Sequence, residues 1–83
     1  MIVYKIDVID ELKKIGVTYA SVRKTKVFSQ STLKKFKEKD TNISMDNINK
    51  LCCLLELQPR DIFKYIETQE DMKIFEENIS KKG

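Results

Sequence analysis

Residues 18–39 read TYASVRKTKVFSQSTLKKFKEK, and this stretch decides the fold. Apolar side chains fall at Val22, Phe28, Leu33 and Phe36, and almost everything between them is polar or basic. The pattern is that of two short helices, about 19–25 and about 30–37, joined by the tight turn Lys26-Val27-Phe28. Thr18 and Ser29 stand one residue before each helix, where a hydroxyl can cap the free N–H groups. Leu33 and Phe36, three residues apart, face inward. That leaves Gln30, Ser31, Lys34, Lys35 and Lys37 on the outer face, with Thr32 partly covered. The stretch holds seven cations, Arg23, Lys24, Lys26, Lys34, Lys35, Lys37 and Lys39, against the single acid Glu38. The whole chain carries only +3, so the remainder must be net negative. Charge gathered onto one segment is the footprint of a surface for a polyanion.

Upstream, Asp7 is placed to cap a helix on which Val8, Ile9, Leu12 and Ile15 share one face. Gly16 ends it, as a residue able to adopt the left-handed conformation just past a helix. Ahead of that helix, Ile2, Tyr4 and Ile6 alternate weakly, which suits a short edge strand or a loose arm. Downstream, Asp40-Thr41-Asn42 is a turn cluster. Ser44 caps a helix with Asp46 and Asn47 in its first turn, where negative charge and amide oxygens meet free N–H groups. Ile48, Leu51, Cys52 and Leu55 repeat at core spacing, widened by Leu54, with Cys53 toward the edge. Gln58-Pro59 opens a fifth helix, proline being favoured at the first position, with Ile62, Phe63 and Ile66 inward. Thr68, with Asp71 three residues later, caps a last helix along which Met72, Phe75 and Ile79 recur. Such a helix packs on its own core or on a second chain. The second is favoured, because five helices already close a core.

At 83 residues there is room for one small domain. Two Gly and one Pro argue against a chain of many tight β-turns. No run approaches the roughly 18 apolar residues of a membrane span. The opening MIVYKID is too short, and too acidic afterwards, for a signal peptide, so an intracellular location is expected. The chain has no His, and its two cysteines, Cys52 and Cys53, are helical neighbours that diverge by about 100°. Material for a metal, catalytic or cofactor site is therefore lacking, and no small-molecule site is evident.

The matching residues are Gly16-Val17-Thr18, Val22-Arg23-Lys24, Phe28-Ser29-Gln30-Ser31-Thr32-Leu33, Ile43-Ser44-Met45-Asp46-Asn47-Ile48, Lys50-Leu51-Cys52 and Asp61-Ile62. With the order of elements, they make residues 4–66 resemble the Xre/Cro-type helix-turn-helix family of phage and bacterial repressors. The resemblance implies an all-α, compact five-helix, lambda-repressor-like domain over residues 1–66, with the motif at about 18–37. Residues 67–83 would add a C-terminal amphipathic helix or tail, and the start a short strand or arm. Two positions depart from the family pattern. Val27 stands where the family usually has glycine in the turn, and a β-branched residue resists positive φ, so this turn must be reshaped or strained. Arg23 stands where most members have a small residue, and must snorkel outward.

The resemblance further implies a cytoplasmic, nucleoid-associated regulator of double-stranded DNA, with its second motif helix in the major groove. Gln30, Ser31, Lys34 and Lys35 would reach base edges. Thr18, Tyr19, Arg23, Lys24, Ser29, Lys37, Lys39 and Asn42 would hold the DNA backbone. One module buries little surface, and such regulators commonly act as dimers on half-sites a helical turn apart. Met72, Phe75 and Ile79 form the candidate dimer surface, with edge pairing of the Ile2–Tyr4 segment as the alternative. A different class of function is a protein-interaction module, an antitoxin or anti-repressor, built on the same fold. That reading calls for apolar residues on the outer face of helix 30–37, where the sequence has Gln, Ser and Lys. An enzyme has the least support, for want of His and of clustered carboxylates.

Overall fold

The computed structural model describes residues 1–78. Its elements are β1 (Ile2–Tyr4), α1 (Val8–Lys14), α2 (Tyr19–Thr25), α3 (Gln30–Lys37), α4 (Met45–Leu55), α5 (Pro59–Ile62), β2 (Phe63–Tyr65) and α6 (Gln69–Asn78). The helix starts follow from local side-chain chemistry. Asp7 Oδ1 accepts the Asp10 N–H at 3.1 Å, Ser29 Oγ the Thr32 N–H at 3.1 Å and Ser44 Oγ the Asn47 N–H at 3.2 Å. Each satisfies one backbone donor that the helix itself cannot. α1 ends at Gly16, whose φ of +83° lies in the left-handed region. Ile15, expected on the inner face, is instead the C-cap and is exposed, because the chain turns away there.

The core is Val8, Leu12, Val22, Phe28, Leu33, Phe36, Leu51 and Ile62, with Tyr4, Ile6, Val17, Ile43, Leu57 and Phe63 packed around it. It draws on α1 to α5 and on the turn between α2 and α3. In the stripe expected on α4, Leu51 is fully buried while Ile48, Cys52, Leu54 and Leu55 are half-buried, and Cys53 is exposed.

The first segment is a strand. β1 pairs antiparallel with β2, Ile2 opposite Tyr65, Val3 opposite Lys64 and Tyr4 opposite Phe63. This corrects the reading of the fifth helix. α5 is a single turn that stops at Ile62, Phe63 is extended with its ring 4.9 Å from that of Tyr4, and Ile66 is exposed. So short a helix gives up few hydrogen bonds by stopping. The strand regains them, with Lys5 N–H on Ile62 O and Ile66 N–H on Met1 O, both at 2.8 Å.

α6 leaves the sheet rather than crossing the core. Thr68 Oγ1 accepts the Asp71 N–H at 3.2 Å, as the cap predicts. The Met1 ammonium donates to the Asp71 carboxylate and to Ile66 O. The ammonium first, and then Thr68, hold the Asp71 carboxyl below its ordinary range. Met72 is half-buried and Phe75 exposed, and neither belongs to the core; Ile79 lies outside the described residues. The molecule is accordingly long, 49 × 22 × 19 Å. Its radius of gyration, 15.6 Å, exceeds the roughly 12 Å of a compact chain this size. No helix among the described residues is long and apolar enough to cross a membrane.

Candidate nucleic-acid interface

The motif is built from its caps. At the start of α2, Thr18 and Ser21 satisfy each other. Thr18 Oγ1 accepts the Ser21 N–H at 3.2 Å, and Ser21 Oγ accepts the Thr18 N–H at 2.8 Å. α2 closes on Lys26, which is left-handed at φ +57° and donates its N–H to Val22 O at 2.7 Å. The turn is thus reshaped as the absence of glycine requires. The positive φ falls on Lys26, one residue before Val27, sparing the β-branched side chain. Phe28 then enters the core, edge-on to Phe36 with ring centroids 5.3 Å apart.

α3 buries Leu33 and Phe36 and exposes Gln30, Ser31, Lys34 and Lys37. Lys35 is half-covered, its ammonium donating to Asn42 O at 3.0 Å. Ser29 Oγ contacts the Thr32 N–H, Thr32 Oγ1 at 2.8 Å and Ser31 Oγ at 3.0 Å. One hydroxyl has one donor and two acceptor positions, so the side chain of Ser29 is already saturated. Any phosphate contact from Ser29 falls to its backbone. Thr18, Tyr19, Arg23, Lys24, Lys39 and Asn42 are all exposed except the half-buried Thr18.

Three residues without an assigned role position this face. Lys50, on α4, donates its ammonium to Val27 O at 3.0 Å and so ties the reshaped turn to the body of the domain. Asn47 Nδ2 reaches Thr32 Oγ1 at 3.4 Å. Tyr4 OH donates to Asp40 O at 2.7 Å and pins the loop after α3, where Lys39 is left-handed at φ +60°. Burial, and then the Asp40 charge, push the Tyr4 hydroxyl up to about 12, so it remains a donor throughout the neutral range. In the sequence, Lys50 four residues after Asp46 reads as a solvent-facing helix pair, and that pair does form at 3.8 Å. Nothing local signals its second partner.

The electrostatics are one-sided. Among the described residues, none of Arg23, Lys24, Lys26, Lys34, Lys35, Lys37 and Lys39 is in an ion pair. No group of three or more potential metal ligands occurs among the described residues. A helix with a polar, uncompensated cationic face and its first turn outward can enter a groove lined by phosphates.

A model of the Cro/C1-type HTH DNA-binding domain family matches residues 5–68. The chain belongs to this family. No significant match to a curated protein or to a solved structure accompanies it. The matched segment takes in α1 to α5 and β2 and stops at Thr68, the cap of α6. Membership supports a DNA-binding regulator, and Cro/C1-type domains are not enzymes. Within the matched segment, Arg23, Lys24, Lys34, Lys35 and Lys37 lie on α2 and α3, Lys26 at the turn between them and Lys39 in the loop that follows.

Proposed function

We propose that the protein is a sequence-specific regulator of double-stranded DNA, a repressor, that lays α3 in the major groove with its N-terminal end leading. The observation that carries this reading is the first turn of α3. Gln30 and Ser31 stand exposed over the buried Leu33 and Phe36, flanked by cations that no carboxylate neutralises. The Gln30 amide matches adenine N6 and N7, and Lys34 can donate to guanine O6 and N7. Lys35 can join them once it exchanges the Asn42 carbonyl for a base or phosphate. Thr18, Tyr19, Arg23, Lys24, Lys37, Lys39 and Asn42 hold phosphates and set the register without choosing sequence. Repression follows if the bound site overlaps a promoter. The place of action is the nucleoid of a bacterial cell.

The test is selection from a pool of random duplexes at two salt concentrations, followed by sequencing. A recovered short motif supports the reading. Salt-sensitive retention without a motif reduces it to non-specific binding. No retention at low salt turns the reading toward a protein partner. Lys37→Ala checks the backbone assignment. Binding should weaken on all sequences alike, and the slope of log affinity against log salt should flatten by about one unit. A loss confined to particular sequences would remove Lys37 from the phosphate contacts.

A further inference from the structure

The loop that leaves α3 is fixed by hydrogen bonds rather than by burial. Glu38, Lys39, Asp40 and Asn42 are exposed and Thr41 is half-buried. After Phe36, the next side chain packed on the core is that of Ile43. α3 closes on Lys39, which is left-handed at φ +60°. Lys39 N–H donates to Phe36 O at 3.2 Å and Asp40 N–H to Lys35 O at 2.8 Å, the paired bonds that end a helix on a left-handed residue. Glycine is the usual occupant of such a position, because a Cβ crowds the backbone there. A lysine keeps this conformation only where its surroundings fix it.

Three further bonds fix it. Asn42 N–H donates to Asp40 Oδ1 at 2.8 Å, Lys35 Nζ to Asn42 O at 3.0 Å, and Tyr4 OH to Asp40 O at 2.7 Å. The first two come from the loop and from α3 itself. The third reaches in from β1, 36 residues earlier. Tyr4 is in turn held by the sheet. Its half-buried ring lies 4.9 Å from that of Phe63, its partner across the strands, and the neighbouring Lys5 N–H donates to Ile62 O at 2.8 Å. A continuous series of contacts thus runs from the sheet, through one hydroxyl, to the Asp40 carbonyl between Lys39 and Asn42.

We propose that Tyr4 is a positioning residue for DNA binding: by holding the Asp40 carbonyl, it keeps the loop in the form that offers Lys39 and Asn42 to phosphates. The grip on the DNA backbone is thereby set in part by the strand pair, none of whose residues is among the proposed DNA contacts. The inference rests on the reading of Lys39 and Asn42 as phosphate contacts. It concerns affinity and leaves base choice to α3, since phosphate contacts carry no sequence. Without the hydroxyl, an exposed loop bearing a left-handed lysine samples other forms, and DNA must order it again at a cost in affinity.

The experiment measures binding of the full chain to the selected operator and to an unrelated duplex over a range of salt. Tyr4→Phe keeps the ring on Phe63 and removes only the hydroxyl. It should weaken binding about threefold to thirtyfold, evenly on both duplexes, and flatten the slope of log affinity against log salt by about one unit. Lys39→Gly/Asn42→Ala removes both contacts, while glycine keeps the left-handed turn. Added to that pair, Tyr4→Phe should change affinity less than about twofold, because nothing is left to position. A hydroxyl that only stabilised the fold would instead cost the same in both backgrounds, and that result overturns the proposal. So does a Tyr4→Phe chain whose loss is confined to particular base pairs. Circular dichroism checks that each variant is folded at the assay temperature. Wild type that retains no DNA at low salt overturns the DNA reading and this inference together. Wild type that binds DNA no better than Tyr4→Phe overturns this inference alone.

Discussion

Gln30→Ala is expected to lower affinity for the selected operator by roughly 1–3 kcal/mol, about fivefold to 150-fold, and to relax preference at one or two base pairs. Gln30 is the first residue of α3 and is exposed. Its loss uncovers no core atom, so the fold should be untouched and the effect should fall on recognition alone. The side chain is placed by what lies beneath it. Leu33 and Phe36 are sunk in the core, Ser29 caps the first turn and Asn47 reaches Thr32 from α4. A helix start held from three sides is the pre-organised platform that bidentate pairing to adenine needs. The check is binding of both proteins to the operator and to every single-base variant of it. An affinity that drops evenly across all variants, with the base preference intact, would take Gln30 out of readout.

Leu51→Ala should cost about 2–5 kcal/mol of unfolding free energy. Leu51 is 0 % exposed and sits in the middle of α4. It belongs to the buried cluster to which α1, α3 and Ile62 also contribute. A chain of this length has on the order of 4–12 kcal/mol of total stability. The substitution is therefore expected to bring the domain close to unfolding at ambient temperature and to abolish DNA binding with it. Urea unfolding followed by circular dichroism measures the loss. Cys53→Ser, two positions along the same helix and exposed, is the control and should stay within about 0.5 kcal/mol. A Leu51→Ala loss below about 1 kcal/mol would mean that the core closes over the gap.

The helices were legible because their boundaries are written in adjacent residues. Asp7, Thr18, Ser29 and Ser44 each cap a backbone N–H three residues away, a distance over which sequence alone suffices. The second strand was not legible. Ile62, Phe63 and Ile66 fit a helical spacing as well as an extended one. The choice is made by β1, some sixty residues earlier, which leaves no trace in the local pattern. The turn was half-legible. Val27 forbade the usual conformation, but only the backbone shows Lys26 taking the left-handed position and Lys50 bracing the carbonyl that follows. At the interface, the sequence identified which residues face outward but not which side chains are already occupied. Ser29 is spent on Ser31 and Thr32, and Lys35 reaches across to Asn42. A flexible lysine or a hydroxyl chooses partners by distances that spacing does not encode.

The two-stranded sheet also bears on the order in which the domain assembles. α1 packs on α3 and α4, and α2 on α3, over shorter separations in the chain, whereas joining Tyr4 to Phe63 closes a loop of about sixty residues and must overcome its entropy. The strand pair is thus a clasp, fastened after the helices have already brought its halves together. It is short and largely solvent-facing, so it is also the part of the molecule expected to unfasten first. Native-state hydrogen exchange should find the Lys5 and Ile66 amides opening at a lower free energy than those of Val22 and Leu33. Equal protection at all four would mean that clasp and helices open together.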